Sequence, residues 1–101
     1  MFIYNVTIKV HDTIKAAWLN WLKEVHIPEV IDTGCFTHAT ILQLLEVDDS
    51  EGPTYAIQYQ AESKALYNRY IQNFAGIMRQ RSFDQWGDKF IAFRSIMQVV
   101  N

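Results

Sequence analysis

One cysteine, two prolines and four glycines among 101 residues rule out several architectures before any pattern is read. The lone thiol, Cys35, closes no internal disulfide and makes no thiolate zinc site by itself, which fits a reducing compartment and a side chain that fills a buried strand. So few Gly and Pro leave room for neither a fibrous repeat nor a disordered linker. Cationic excess is missing too. Nine Lys and Arg stand against eleven Asp and Glu, and no six-residue stretch concentrates them, so no nucleic-acid partner is expected. No apolar run approaches the roughly 18 residues of a membrane span, and the first residues alternate instead of forming a basic then apolar leader. The expectation is a soluble, cytoplasmic protein without a membrane partner.

Chemical motifs are equally scarce. His11, His26 and His38 fall on different elements, without His-x-x-x-His or Cys-His spacing, and Asp48-Asp49-Ser50-Glu51-Gly52 lacks the alternation of a calcium loop, so no metal site is expected. Neither a Gly-rich phosphate loop nor Gly-x-Ser-x-Gly occurs, and no cofactor is called for.

What is present is patterned throughout, and a chain of this length carries one core, so residues 1–101 are expected to form a single domain. Residues 2–10 alternate, with Phe2, Tyr4, Val6, Ile8 and Val10 on one side of a strand. Asp12 is placed to cap a helix whose stripe is Ile14, Ala17, Trp18, Trp21, Leu22 and Val25. A bend is expected near His26, then a short helical segment from Pro28 to Asp32 that Gly34 stops. Cys35 to Val47 reads as a long strand, Asp48 to Pro53 as a turn, and Thr54 to Ala61 as a second strand with Tyr55, Ile57, Tyr59 and Ala61 on its apolar side. Ser63 caps a helix whose shared face is Leu66, Tyr70, Phe74, Ile77 and Met78, Ser82 to Gln85 has capping-box spacing, and a last strand runs from Phe90 to Val100.

Strand, helix, strand, strand, helix, strand is the ferredoxin-like β-α-β-β-α-β order. It is an α+β fold in which two helices cover one face of a four-stranded antiparallel sheet. With Val6, Ile57 and Phe93 turned to the helices, the open face carries Ile3, Asn5 and Thr7, then Ala56, Gln58 and Gln60, then Phe90, Ala92, Arg94, Ile96 and Gln98. That face is half apolar, which points to a contact with a second copy or to a ligand cavity. The Cys35 to Val47 strand has two similarly apolar sides, Phe36, His38, Thr40, Leu42, Leu44 and Thr37, Ala39, Ile41, Gln43, Leu45, and its orientation stays open.

Tyr4-Asn5-Val6-Thr7, Trp18-Leu19-Asn20-Trp21, His26-Ile27-Pro28, Gly34-Cys35-Phe36, Tyr55-Ala56-Ile57-Gln58-Tyr59 and Phe90-Ile91-Ala92-Phe93-Arg94 together resemble DUF4286, a bacterial family of unknown function, over nearly the whole chain. More distantly, a helix ending in His-x-Pro, then Gly-x-Phe and a long strand, is similar to the dimeric α+β barrel superfamily, which includes cofactor-free and haem-degrading monooxygenases. That resemblance implies a homodimer whose sheets face each other around a shared cavity, and it implies no particular reaction.

Four residues are singled out as candidate ligand contacts. Asn5, Gln58 and Arg94, expected on one sheet face, offer two amides and a guanidinium to the carbonyl, phenolate or carboxylate of a small organic molecule, or else serve as polar contacts in a dimer interface. His26 is placed either as a general base or metal ligand at a cavity mouth, or as a cap on a carbonyl at the helix bend. Two functions follow: a small-molecule protein, catalytic or not, with its cavity at the sheet face, and a non-enzymatic dimeric binding or structural module.

Overall fold

In a computed structural model that describes all 101 residues, the alternation of the first strand decides the architecture. β1 (Phe2–Val10) buries Tyr4, Ile8 and Val10 on one side. A strand apolar enough to be flanked on both edges becomes central, and β1 pairs antiparallel with both β3 (Thr54–Ala61) and β4 (Phe90–Gln98). β2 (His38–Gln43) adds to the outer edge of β3, giving the order β2-β3-β1-β4. All the helices lie on one face of this ferredoxin-like α+β sheet.

The β1–β4 register corrects the expected faces. Val6 lies opposite Arg94, Ile8 opposite Ala92 and Val10 opposite Phe90, so Phe90, Ala92, Arg94 and Ile96 share the helix-covered side with Tyr4 and Val6. Phe93, expected toward the helices, stands opposite Thr7 on the open face with Ile91, Ser95 and Met97. Both alternating sets of this strand are apolar, and a one-residue slip in phase exchanges them completely. For β2 the pairing settles the question: Ala39, Ile41 and Gln43 face the helices, while His38, Thr40 and Leu42 face out. The regular strand is also shorter than Cys35–Val47, because Cys35 and Phe36 are buried in the chain leading into it.

The first helical stretch is α1 (Lys15–Trp21), a π-helical turn (Leu22–His26) and α2 (Ile27–Asp32) without interruption. Asp12 does not cap it. Ile14 holds the cap position without a side-chain bond, Asp12 pairs with Lys15 at 3.0 Å, and the Thr13 N–H donates to Nδ1 of His11 at 3.2 Å. The second stretch is α3 (Lys64–Asn73) and α4 (Ala75–Trp86). Ser63 does cap α3, its hydroxyl accepting the Leu66 N–H at 3.2 Å. Ser82 starts no new turn: it lies inside α4 with its hydroxyl donating to the Met78 carbonyl, because Met78, Ser82 and Trp86 keep a helical period toward the sheet. The break falls instead at Phe74, where φ is −127°.

Between the layers lies a core of fourteen buried residues, where Trp18 stacks on the partly buried Tyr55 and Tyr4 meets the rings of Phe36, Tyr59, Tyr70 and the partly buried Tyr67 at centroid distances of 5.6 to 6.0 Å. No helix is long and apolar enough to cross a membrane.

Candidate functional site

Pro28 has no N–H and its ring presses on the carbonyl four residues back, that of Glu24, so an ordinary α-turn through this point is both unbonded and crowded. The chain widens the turn before it: the Ile27 N–H reaches the Leu22 carbonyl, five residues back. One extra residue is thereby taken up, and Val25, expected on the inner stripe, is turned out to solvent while His26 takes its place. The imidazole lies flat on Trp21, 4.7 Å between centroids and 19° between planes, and Trp86 of α4 meets Trp21 edge-on at 5.8 Å.

His26 and Trp21 form one wall of a pocket between the helices and the sheet. Its floor is Tyr4, Val6 and Ile8 of β1 with Ile57 and Tyr59 of β3; α4 contributes Met78, Arg79 and Ser82, and β4 contributes Phe90 and Arg94. The room for water-sized groups is about 50 Å³, and the pocket is partly open to solvent. At about 10–15 Å³ per such group, that volume takes roughly three to five of them.

Polar groups in this pocket are few and differently tuned. Burial pushes His26 down from its ordinary value of 6.5 to about 4; Glu29 opposes this, and Arg81 and Arg94 reinforce it. At neutral pH the ring is therefore uncharged, with one donor and one acceptor nitrogen. It makes none of the chain's imidazole hydrogen bonds, which belong to His11. Burial likewise raises the Tyr59 and Tyr70 phenols far above their usual range, so both act as hydroxyls and not as bases. Arg79 donates to the Tyr4 hydroxyl at 3.4 Å, while Arg81, two residues on and so on a different side of α4, is committed to Glu29 of α2.

Of the four residues singled out from sequence, the structure brings together two pairs on opposite sides of the sheet. His26 and Arg94 line the pocket; Arg94 is thus on the helix side, contrary to the expected open face. Asn5 and Gln58 are cross-strand neighbours on the open face, where the Asn5 amide donates to Thr7 Oγ1 at 2.9 Å. Arg79, Tyr4 and Ser82 were missed. A helical period from Ala75 to Met78 to Ser82 would have shown α4 continuing through Ser82 and carrying Arg79 beside the inner face. No three His, Cys, Asp or Glu side chains converge as a metal-binding group.

The open face is nearly uncharged. Ile91 is 58% exposed, Phe93 67% and Met97 42%, bordered by Ile3, Asn5, Thr7, Ser95, Gln58 and Thr40, with Lys9 as the charged member of β1.

Against known proteins, residues 1–100 match the family model described as "Domain of unknown function (DUF4286)". No curated protein matches. Among solved structures the chain resembles a dimeric ferredoxin-like protein from an uncultured marine organism, with a TM-score of 0.74, 13% identity and coverage of 99% of this chain and 95% of the other. It also resembles an ethyl tert-butyl ether d (ethd) family protein from Bacillus halodurans, with a TM-score of 0.67, 10% identity, and 99% and 100% coverage. A third is the protein At3g17210 from Arabidopsis thaliana, with a TM-score of 0.65, 16% identity and 98% coverage of both chains. These likenesses establish the ferredoxin-like fold.

Proposed function

Because the chain belongs to DUF4286, a family described only as a domain of unknown function, we propose its role from the site itself: it is a homodimer that binds a small organic molecule in the pocket between helices and sheet of each subunit. The observation that carries the reading is that an uncharged, otherwise unbonded imidazole and the Arg94 guanidinium line the same concave, aromatic-walled pocket. Pockets of this make-up, mostly apolar with a few convergent polar groups and a shifted titratable group, are where small ligands bind. Two observations support the dimer: a wide, almost uncharged sheet face, and fold relatives described as dimeric. Asn5 and Gln58 then serve in the contact between subunits, where their amides replace water across the interface.

The test is a fragment titration followed in ¹⁵N–¹H spectra of the intact protein. Neutral and charged fragments of up to about ten heavy atoms are expected to shift the Trp21 indole and the backbone of residues 78–82 and 94. Hits confined to Asn5, Gln58 and their neighbours would move the ligand to the open face, and a screen without any hit would favour the alternative, a purely structural dimeric module.

A further inference from the structure

Arginines are scarce in this chain, four in all, and two of them converge on one pocket. Arg79 comes from the second turn of α4 and Arg94 from the middle of the edge strand β4, so two independent elements deliver positive charge to the same place. Neither is matched. The chain's two ion pairs are Lys15 with Asp12 and Arg81 with Glu29, and the bond Arg79 does make, to the Tyr4 hydroxyl, neutralises nothing. In a protein of net charge −2, carboxylates are available, yet none lines the pocket, and Glu29, whose field reaches His26, is paired with Arg81. The neutral His26 adds no third charge and keeps an N–H free to donate.

Resting on the pocket reading above, we propose that the ligand is a compact monocarboxylate whose charged end is held at the mouth by Arg94 and Arg79 and whose short apolar body lies against Trp21 and Tyr4. A guanidinium fork matches the planar carboxylate with two parallel bonds. Phosphate fits less well, because phosphate sites draw on clustered backbone N–H groups at helix N-termini or glycine turns. The first residues of α1 and α4 to line this pocket, Trp18 and Met78, have their N–H groups bonded to the Ile14 and Phe74 carbonyls, and no glycine is among the lining residues. Size limits the body: with about 50 Å³ of room, the enclosed part takes roughly three to five non-hydrogen atoms.

The experiment titrates the full chain with butyrate, its neutral isostere butyramide and inorganic phosphate, reading the Trp21 indole and His26 ring resonances at constant ionic strength. Butyrate is expected to bind at least tenfold more tightly than butyramide. Arg94→Met and Arg79→Met should each weaken butyrate at least tenfold and weaken butyramide far less, and an unchanged melting curve shows that the variants fold. Equal binding of acid and amide overturns charge recognition while leaving the pocket reading standing. Phosphate displacing butyrate at lower concentration overturns the carboxylate. If neither these probes nor the neutral fragments shift any pocket resonance, the pocket reading fails, and this inference with it.

Discussion

At the scale of single residues, His26 shows how a backbone detail becomes chemistry. Pro28 forces the wide turn, the turn brings the imidazole inward, and burial holds its pKa near 4 against an ordinary 6.5. Its charged surroundings are Glu29 from α2, Arg81 from α4 and Arg94 from β4. A group whose folded pKa is depressed stabilises the fold above its unfolded pKa, and that contribution is lost as pH falls through the folded value. The window is therefore about pH 6.5 down to 4, and at ~1.36 kcal/mol per unit the loss is about 3 kcal/mol. His26→Phe keeps a flat ring on Trp21 without a titratable nitrogen. Urea unfolding at pH 7 and pH 4 should show the unmodified protein losing about 3 kcal/mol more than the variant between the two; parallel losses would mean that His26 is not held neutral. The sequence placed His26 at the helix bend, as a site residue or as a cap, but could not show which way it pointed. That depended on the π-turn, whose signals are the proline at 28 and aromatic rings five residues apart, Trp21 and His26.

Among the elements, those with a single apolar period were legible and those with two were not. β1 and β3 alternate cleanly, and their buried sides are the ones their sequences indicate. β4 reads Phe-Ile-Ala-Phe-Arg-Ser-Ile-Met, apolar in both phases, so only the pairing of Val6 with Arg94 fixes its face, and with it the split of the candidate site into two pairs. Turns gave stronger signals, and they differ in what they demand. Gly34 and Gly52 both have positive φ, 78° and 146°, but a Cβ on Gly34 would meet open space while one on Gly52 would overlap the Val10 carbonyl oxygen. The β2–β3 turn is thus pressed against the end of β1, an approach continued by the Val10 N–H to Pro53 and Asp12 N–H to Glu51 bonds. Gly34→Ala should cost about 1–2 kcal/mol, the ordinary left-handed penalty. Gly52→Ala adds displacement of backbone and should cost more than about 3 kcal/mol or prevent folding. Chemical denaturation of the pair checks the order, and equal losses would mean the turn is free to move away.

For the whole molecule, the question is what covers the open face. Ile91 and Phe93 stand at 58% and 67% exposure on the edge strand, with Met97 and Ile3 along the same surface and little charge to keep the sheet apart from another. Burying a side chain of this kind gains about 1.5–3 kcal/mol, so four of them across a two-fold axis count twice and supply a substantial part of what association needs. The helix side also exposes large apolar residues, Ile77 at 56% and Phe83 at 58%, and these make the control. If the subunits meet through their sheets, Phe93→Glu places a charge at the interface beside its own symmetry mate and should yield a monomer, whereas Phe83→Glu should not. Sedimentation at tens of micromolar is expected to give twice the 11.8 kDa chain mass for the unmodified protein and for Phe83→Glu, and the single-chain mass for Phe93→Glu with helical content intact. A monomeric unmodified protein would remove the dimer from the proposed function; dissociation by Phe83→Glu in place of Phe93→Glu would put the contact on the helices. In that second case the pocket mouth, which lies on the same side of the sheet as α4, would open into the interface, and ligand binding would depend on protein concentration, which the same butyrate titration at two protein concentrations would reveal.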